Sequence, residues 1–216
     1  MITELLGFSQ SYQWYTGYPV QMPGEGAGGP SQFPPNPAAG FQAIQMLLDR
    51  YPPIPNWQAR FRFGSDLSMW KDKEFDGWQH SLTHNIQQAR TEVDRVVFNI
   101  SGASRPVPQW QADIEAVTQI IHEYYPNLTQ LYLQPVIGGN SVSSEIRAIE
   151  NHPTIVAVVR AIVAQSPNNP VKVGAIVTLN ESDFSDRIGH LTENGAKAAK
   201  KQIFDFYQEH EQRSAL

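Results

Sequence analysis

The sequence predicts an α/β fold: a three-layer sandwich around a five-stranded parallel sheet in the flavodoxin-like order 2-1-3-4-5. Two observations predict it. Short runs rich in Val, Ile and Leu recur between longer patterns of helical period. The runs are apolar on both sides, so both faces of the sheet need cover. The handedness rule for parallel crossovers then leaves few topologies.

The elements follow in order. Residues 2–6 read as a first apolar strand. Asn36 caps and Pro37 starts a helix whose Phe41, Ile44, Leu47 and Leu48 share a face. Residues 59–63 read as the second strand, and Asp76 caps a helix running to about Arg90. Residues 93–100 are a strong third strand. Pro108 opens a long helix with Trp110, Ile114, Val117, Ile121 and Tyr124 along one stripe. Residues 128–136 form the fourth strand. Ser143 or Ser144 caps a helix that Pro153 breaks or kinks, continuing through Ile155, Val158, Val159 and Ile162. Residues 171–179 are the last strand. Thr192 caps a final helix with Ala196, Ala199, Ile203 and Phe206 inward.

The length of 216 residues favours one domain spanning 1–216 and permits a sizeable core. The biased stretch is 17–37, where 11 of 21 residues are Gly or Pro, which reads as a long loop. It contains Gly24-Glu25-Gly26-Ala27-Gly28-Gly29, a formal GxGxxG. Pro23 before it and Pro30 after it deny the strand and helix that a nucleotide-binding turn needs.

Composition excludes several function classes. The net charge of -5 argues against a nucleic-acid binder, which needs a clustered positive field. No apolar run is long enough for a membrane span. The absence of cysteine excludes disulfides, thiolate zinc sites and Cys nucleophiles. His80 and His84 are spaced i, i+4, yet no HExxH pattern or third ligand accompanies them, so no metal and no cofactor is expected. No leader segment is visible, so a cytoplasmic location is expected. Oligomeric state is left open.

In an open parallel sheet, ligands bind at the carboxyl ends of the strands. The rim would gather Ser9 after the first strand, Gly77 at a helix start beyond the second, and Ser104 after the third. Asp186 and His190 follow the last. These residue types make a hydroxyl nucleophile, its base, the group that orients the base, and oxyanion donors. Tyr12, Trp14, Tyr15 and Tyr18 follow the candidate nucleophile. Trp14 and Tyr15 are the candidate substrate-binding pair, since such pockets are mostly apolar; the cluster could equally anchor the long loop. Asn99 is expected to close its strand with a buried hydrogen bond.

These blocks resemble the SGNH, or GDSL, hydrolase family over nearly the whole chain. Gly7-Phe8-Ser9-Gln10 sits where the family has Gly-Asp-Ser-Leu, and Gly77 where it has its second-block Gly. Val97-Phe98-Asn99-Ile100-Ser101-Gly102-Ala103-Ser104 is similar to the strand that ends in Gly-x-Asn-Asp. Asp186-Arg187-Ile188-Gly189-His190 is similar to the closing Asp-x-x-His. Three departures from the pattern stand out: Phe8 replaces an Asp, Ser104 and Arg105 replace Asn-Asp, and one extra residue separates Asp186 from His190. The resemblance implies a Ser9 nucleophile, a His190 base oriented by Asp186, and an oxyanion hole with Gly77 and Ser104. The implied substrate is a small ester, acetylated sugar or thioester. The alternative is an impaired enzyme that keeps the fold and uses the rim to bind a ligand or partner.

Overall fold

The computed structural model describes residues 1–17, 56–80, 82–84, 88–141, 143–165 and 171–214. Strand β1 (Thr3–Gly7), buried along its length, runs into helix α1 (Ser9–Thr16). Strand β2 (Trp57–Phe61) follows. Two single-turn helices come next, α2 (Leu67–Trp70) and α3 (Gly77–His80), then a short strand β3 (Leu82–His84). Strand β4 (Arg95–Ile100) precedes α4 (Val107–Tyr124). Strands β5 (Gln130–Pro135) and β6 (Gly138–Gly139) precede α5 (Arg147–Gln165). Strands β7 (Val171–Val173) and β8 (Thr178–Leu179) lead to α6 (Glu193–Ser214).

The main sheet has the order β3-β2-β1-β4-β5-β7. Five of its strands are parallel, and β3 is antiparallel on the outer edge of β2. Numbered along the chain, the parallel strands run 2-1-3-4-5, the expected order. All residues of β1 and β4 are buried, because helices cover both faces. Helices α1 and α6 pack together, while α5 packs on α4 and α4 on α2. Ile114, Val117 and Ile121 of α4 and Ala196, Ala199 and Ile203 of α6 have no exposed surface, as their stripes predict. Phe206 is only partly buried, and Tyr207 takes the inward place beside it.

Two expectations are corrected. The helix expected from Asp76 to Arg90 is one turn long, and the chain then pairs with residues 59–61 as β3. The extra strand covers an edge of β2 that would otherwise present unpaired backbone groups. His80 and His84 consequently lie on different elements. The single strand expected over 171–179 is split. Gly174 approaches Gln134 so closely that a Cβ would lie 2.7 Å from its Oε1 and 2.8 Å from its Cα. Gln134 also donates to the Ala175 carbonyl, which draws the chain out of the ladder, and β8 pairs with β6 instead. Pro153 lies inside α5, which continues past it through Ile155, Val158, Val159 and Ile162 as expected.

Apart from Gly17, the 17–37 loop lies outside the described residues, as do the Gly24 to Gly29 motif and the helix expected from Pro37. Gly17 itself closes α1 at φ 75°, a left-handed cap that favours glycine. Among the described residues no helix is long and apolar enough to cross a membrane. Among them, too, no group of three His, Asp or Glu side chains is gathered to hold a metal ion.

Candidate active site

The turn between β1 and α1 is built around Gly7. A Cβ at Gly7 would lie 2.1 Å from Ser11 Oγ, so only glycine lets α1 start this close to the strand. Ser11 Oγ accepts the Phe8 N–H at 3.1 Å and donates to Asn99 Oδ1 at 2.7 Å. Asn99 Oδ1 also accepts from Trp14 Nε1 at 3.1 Å, and its amide donates to the Gln134 carbonyl at 3.1 Å. Asn99 therefore binds β4, β5 and α1 together through the buried hydrogen bonds expected of it. Phe8, in extended conformation, is buried as the residue before the helix. This turn leaves Ser9 at the first position of α1. Its N–H is one of the amides that a helix start leaves without an intrahelical partner.

Ser9 Oγ lies 2.7 Å from His190 Nε2. His190 Nδ1 lies 2.5 Å from Asp186 Oδ2. With the ring proton on Nδ1 facing the carboxylate, Nε2 is left to accept from the Ser9 hydroxyl. The His190 side chain is 17 % exposed and that of Asp186 39 %, so the chain of hydrogen bonds reaches solvent.

The extra residue between Asp186 and His190 is absorbed by a carboxylate-centred turn. Asp186 Oδ1 accepts the amides of Ile188 and Gly189 at 2.9 Å and that of His190 at 3.0 Å. Gly189 completes the turn at φ 110°, and a Cβ there would lie 2.2 Å from Ala148 Cβ. Burial by itself raises the Asp186 pKa. The His190 hydrogen bond, the His190 charge and the backbone amides outweigh burial and hold the carboxyl well below the usual range. Asp186 is thus a carboxylate at neutral pH.

The loop after β2 adjoins this turn. The Arg62 N–H donates to the Gly7 carbonyl at 2.9 Å, and the Phe63 ring packs edge-on to Tyr12 of α1. The backbone beside the Ser9 turn is therefore the stretch directly after β2, which contains Gly64 at φ 72°. Gly77 lies further along the chain, buried beneath Phe75, where a Cβ would meet the ring at 2.2 Å. The Leu67 N–H donates to the Ser101 carbonyl, joining this loop to the end of β4.

Ser104 is exposed, with its Oγ 2.8 Å from Asn151 Oδ1 and 3.2 Å from Glu150 Oε1. Both are acceptors, so its one proton is directed at α5. Asn151 in turn donates to the Gly102 carbonyl at 2.9 Å and holds the loop. Arg105 stacks on Trp110 and binds Asp113 at 2.6 Å, a structural anchor. Trp14 and Tyr15 have no exposed surface. Trp14 serves Asn99, and the Tyr15 hydroxyl donates to the Trp57 carbonyl at 3.1 Å. Burial pushes the Tyr15 hydroxyl pKa far above its usual value. Both fix α1 to the sheet.

No protein-family model and no curated protein matches the sequence. Solved structures match its fold. A family two carbohydrate esterase from Clostridium thermocellum, in complex with cellohexaose, is similar with a TM-score of 0.55 and 12% identity. The match covers 97% of this chain and 64% of that one. An acetyl xylan esterase from the rumen bacterium Butyrivibrio proteoclasticus gives 0.51 and 11% identity, over 96% of this chain and 63% of that one. At such identities the likeness is one of fold, and the chain spans less than two thirds of the length of either structure.

Proposed function

We propose that this chain is a serine hydrolase of the SGNH type, an esterase or acyl transferase acting on a small ester, with an acetylated sugar as the favoured substrate. The observation that carries the reading is the continuous hydrogen-bonded chain from Ser9 Oγ through His190 to Asp186. The fold shared with carbohydrate and acetyl xylan esterases favours the sugar ester over a thioester.

The chemistry follows from the geometry. Ser9 Oγ attacks the ester carbonyl carbon while its proton passes to His190 Nε2. The imidazolium that forms is stabilised by the Asp186 carboxylate. The oxyanion takes the Ser9 N–H at the positive end of α1. The bond to the leaving alcohol then breaks, and His190 returns the proton to that oxygen. Water then attacks the acyl-Ser9 carbonyl and passes a proton to His190 Nε2; the bond to Ser9 Oγ breaks, His190 returns that proton to Oγ, and the carboxylic acid leaves.

The test is covalent. A fluorophosphonate probe should label the wild-type chain and not Ser9→Ala, and the wild type should release acetate from acetylated xylose. A folded wild type with neither labelling nor turnover overturns the hydrolase reading. It would favour the second one, an impaired enzyme whose rim binds a ligand. The feature behind that alternative is Ser104, which stands where the family has an oxyanion Asn and turns its proton to Asn151.

A further inference from the structure

We propose that Gln10 and Gln13 of α1 are positioning residues that fix the backbone of His190 and so set the distance over which Ser9 and His190 share a proton. The proposal rests on the hydrolase reading for its purpose, though its geometry stands alone.

Both glutamines are buried, 2% and 1% exposed, which is unusual for an uncharged side chain with an amide to satisfy. Their spacing of three puts them on one side of the helix that begins with Ser9. Gln10 Nε2 donates to the Gly189 carbonyl at 2.8 Å, and its Oε1 accepts the Ile137 N–H at 2.9 Å. Gln13 Oε1 accepts the Leu191 N–H at 2.8 Å, and its Nε2 reaches the Leu191 carbonyl at 3.2 Å.

The Gly189 carbonyl belongs to the peptide group entering His190, and the Leu191 N–H to the one leaving it. The remaining polar atoms of those two groups are also held. The His190 N–H donates to Asp186 Oδ1 at 3.0 Å, and the His190 carbonyl accepts the Ser185 N–H at 2.7 Å. All four hydrogen-bonding atoms of the two peptide planes are thereby used. With both planes pinned, the φ and ψ of His190 are fixed, and so is the direction of its Cβ. Two of the four pins come from the helix that carries the nucleophile. Nucleophile and base are therefore located by one rigid element, which matters because a misplacement of about 1 Å can cost on the order of 10²-fold in rate.

The experiment uses Gln10→Met and Gln13→Met in the full chain, which keep length and apolar contact but remove the amide. The control is Gln58→Met, a buried glutamine bonded to Glu4 and far in the hydrogen-bond network from His190. Three readouts are taken: melting temperature, kcat and KM on p-nitrophenyl acetate, and the proton resonance of the His190–Asp186 hydrogen bond. The expectation for either clamp variant is a kcat lowered about 10- to 100-fold with KM within about threefold, as for other losses of supporting hydrogen bonds. The resonance should broaden into exchange with water. Gln58→Met should lose melting temperature while keeping kcat and the resonance. Clamp variants that fold and keep both kcat and the resonance overturn the proposal. If the wild type turns over no ester, the hydrolase reading fails and the resonance alone decides the clamp. If the methionine variants do not fold, Gln13→Glu replaces them. Its carboxyl can mimic the amide only while protonated, so its activity relative to wild type should fall as pH rises. A ratio that is flat and below one overturns the proposal.

Discussion

Replacing Gly189 with alanine tests the loop that presents His190. Two costs can be worked from the structure. At φ 110° an L-residue lies outside the favoured regions, a strain of about 1–3 kcal/mol. The new Cβ would also stand 2.2 Å from Ala148 Cβ, a contact that must open by more than 1 Å and adds about 1–3 kcal/mol. The sum is about 2–6 kcal/mol. Moving the loop away from α5 to relieve the contact would displace the backbone entering His190. Urea unfolding should therefore show a loss of at least about 2 kcal/mol, and the rate of fluorophosphonate labelling at Ser9 should fall by about 10²-fold. Adding Ala148→Gly removes the overlap and leaves the φ strain. The double variant should regain stability and labelling in part, less about 1 kcal/mol for glycine in a helix. A Gly189→Ala chain within 0.5 kcal/mol of wild type, about the noise of a surface substitution, would refute the reasoning.

Three further outcomes follow from the same geometry. Ser104→Ala should leave kcat within about threefold of wild type, because the hydroxyl proton is directed at Asn151; a loss of 10² to 10³ in esterase assays would instead mark Ser104 as an oxyanion donor. Gly7→Ala should destabilise by about 2–4 kcal/mol in chemical unfolding, since its Cβ meets Ser11 and breaks the relay from Phe8 to Asn99. Burial lowers the pKa of His152, although its hydrogen bond to the Val136 carbonyl opposes this, and burial also lowers that of His122. The unfolded chain then binds protons that the folded chain refuses, so stability falls as pH drops below about 6.5. The melting temperature of a His122→Gln/His152→Gln variant should vary less between pH 7 and pH 5 than that of wild type.

The parallel strands were legible because burial on both faces makes them short runs rich in apolar residues. The edges were not. The run from Val171 to Leu179 is as apolar as a core strand, and nothing in it announces that Gln134 will occupy the space beyond Gly174. Likewise β3 exists because β2 has an open edge, a fact of assembly rather than of local pattern. At the rim, Ser9, Asp186 and His190 could be named because strand ends in this topology converge and few other residue types there do such chemistry. Ser104 illustrates the limit. A hydroxyl can be placed on a loop from sequence, but its direction depends on Asn151, 47 positions away. The glutamines of α1 were invisible for a related reason. Glutamine on a short helix ordinarily faces water, and only the closing loop turns these two inward.

Ser9 and His190 stand 181 positions apart, yet share one hydrogen bond. No emerging fragment of the polypeptide lacking its penultimate loop can carry the assembled machinery. Contacts of such long sequence separation form slowly, since loop closure must come first. On the proposed hydrolase reading, ester cleavage during refolding should therefore return after the tryptophans have been sequestered, which makes the reaction a timer for the last stage of self-assembly.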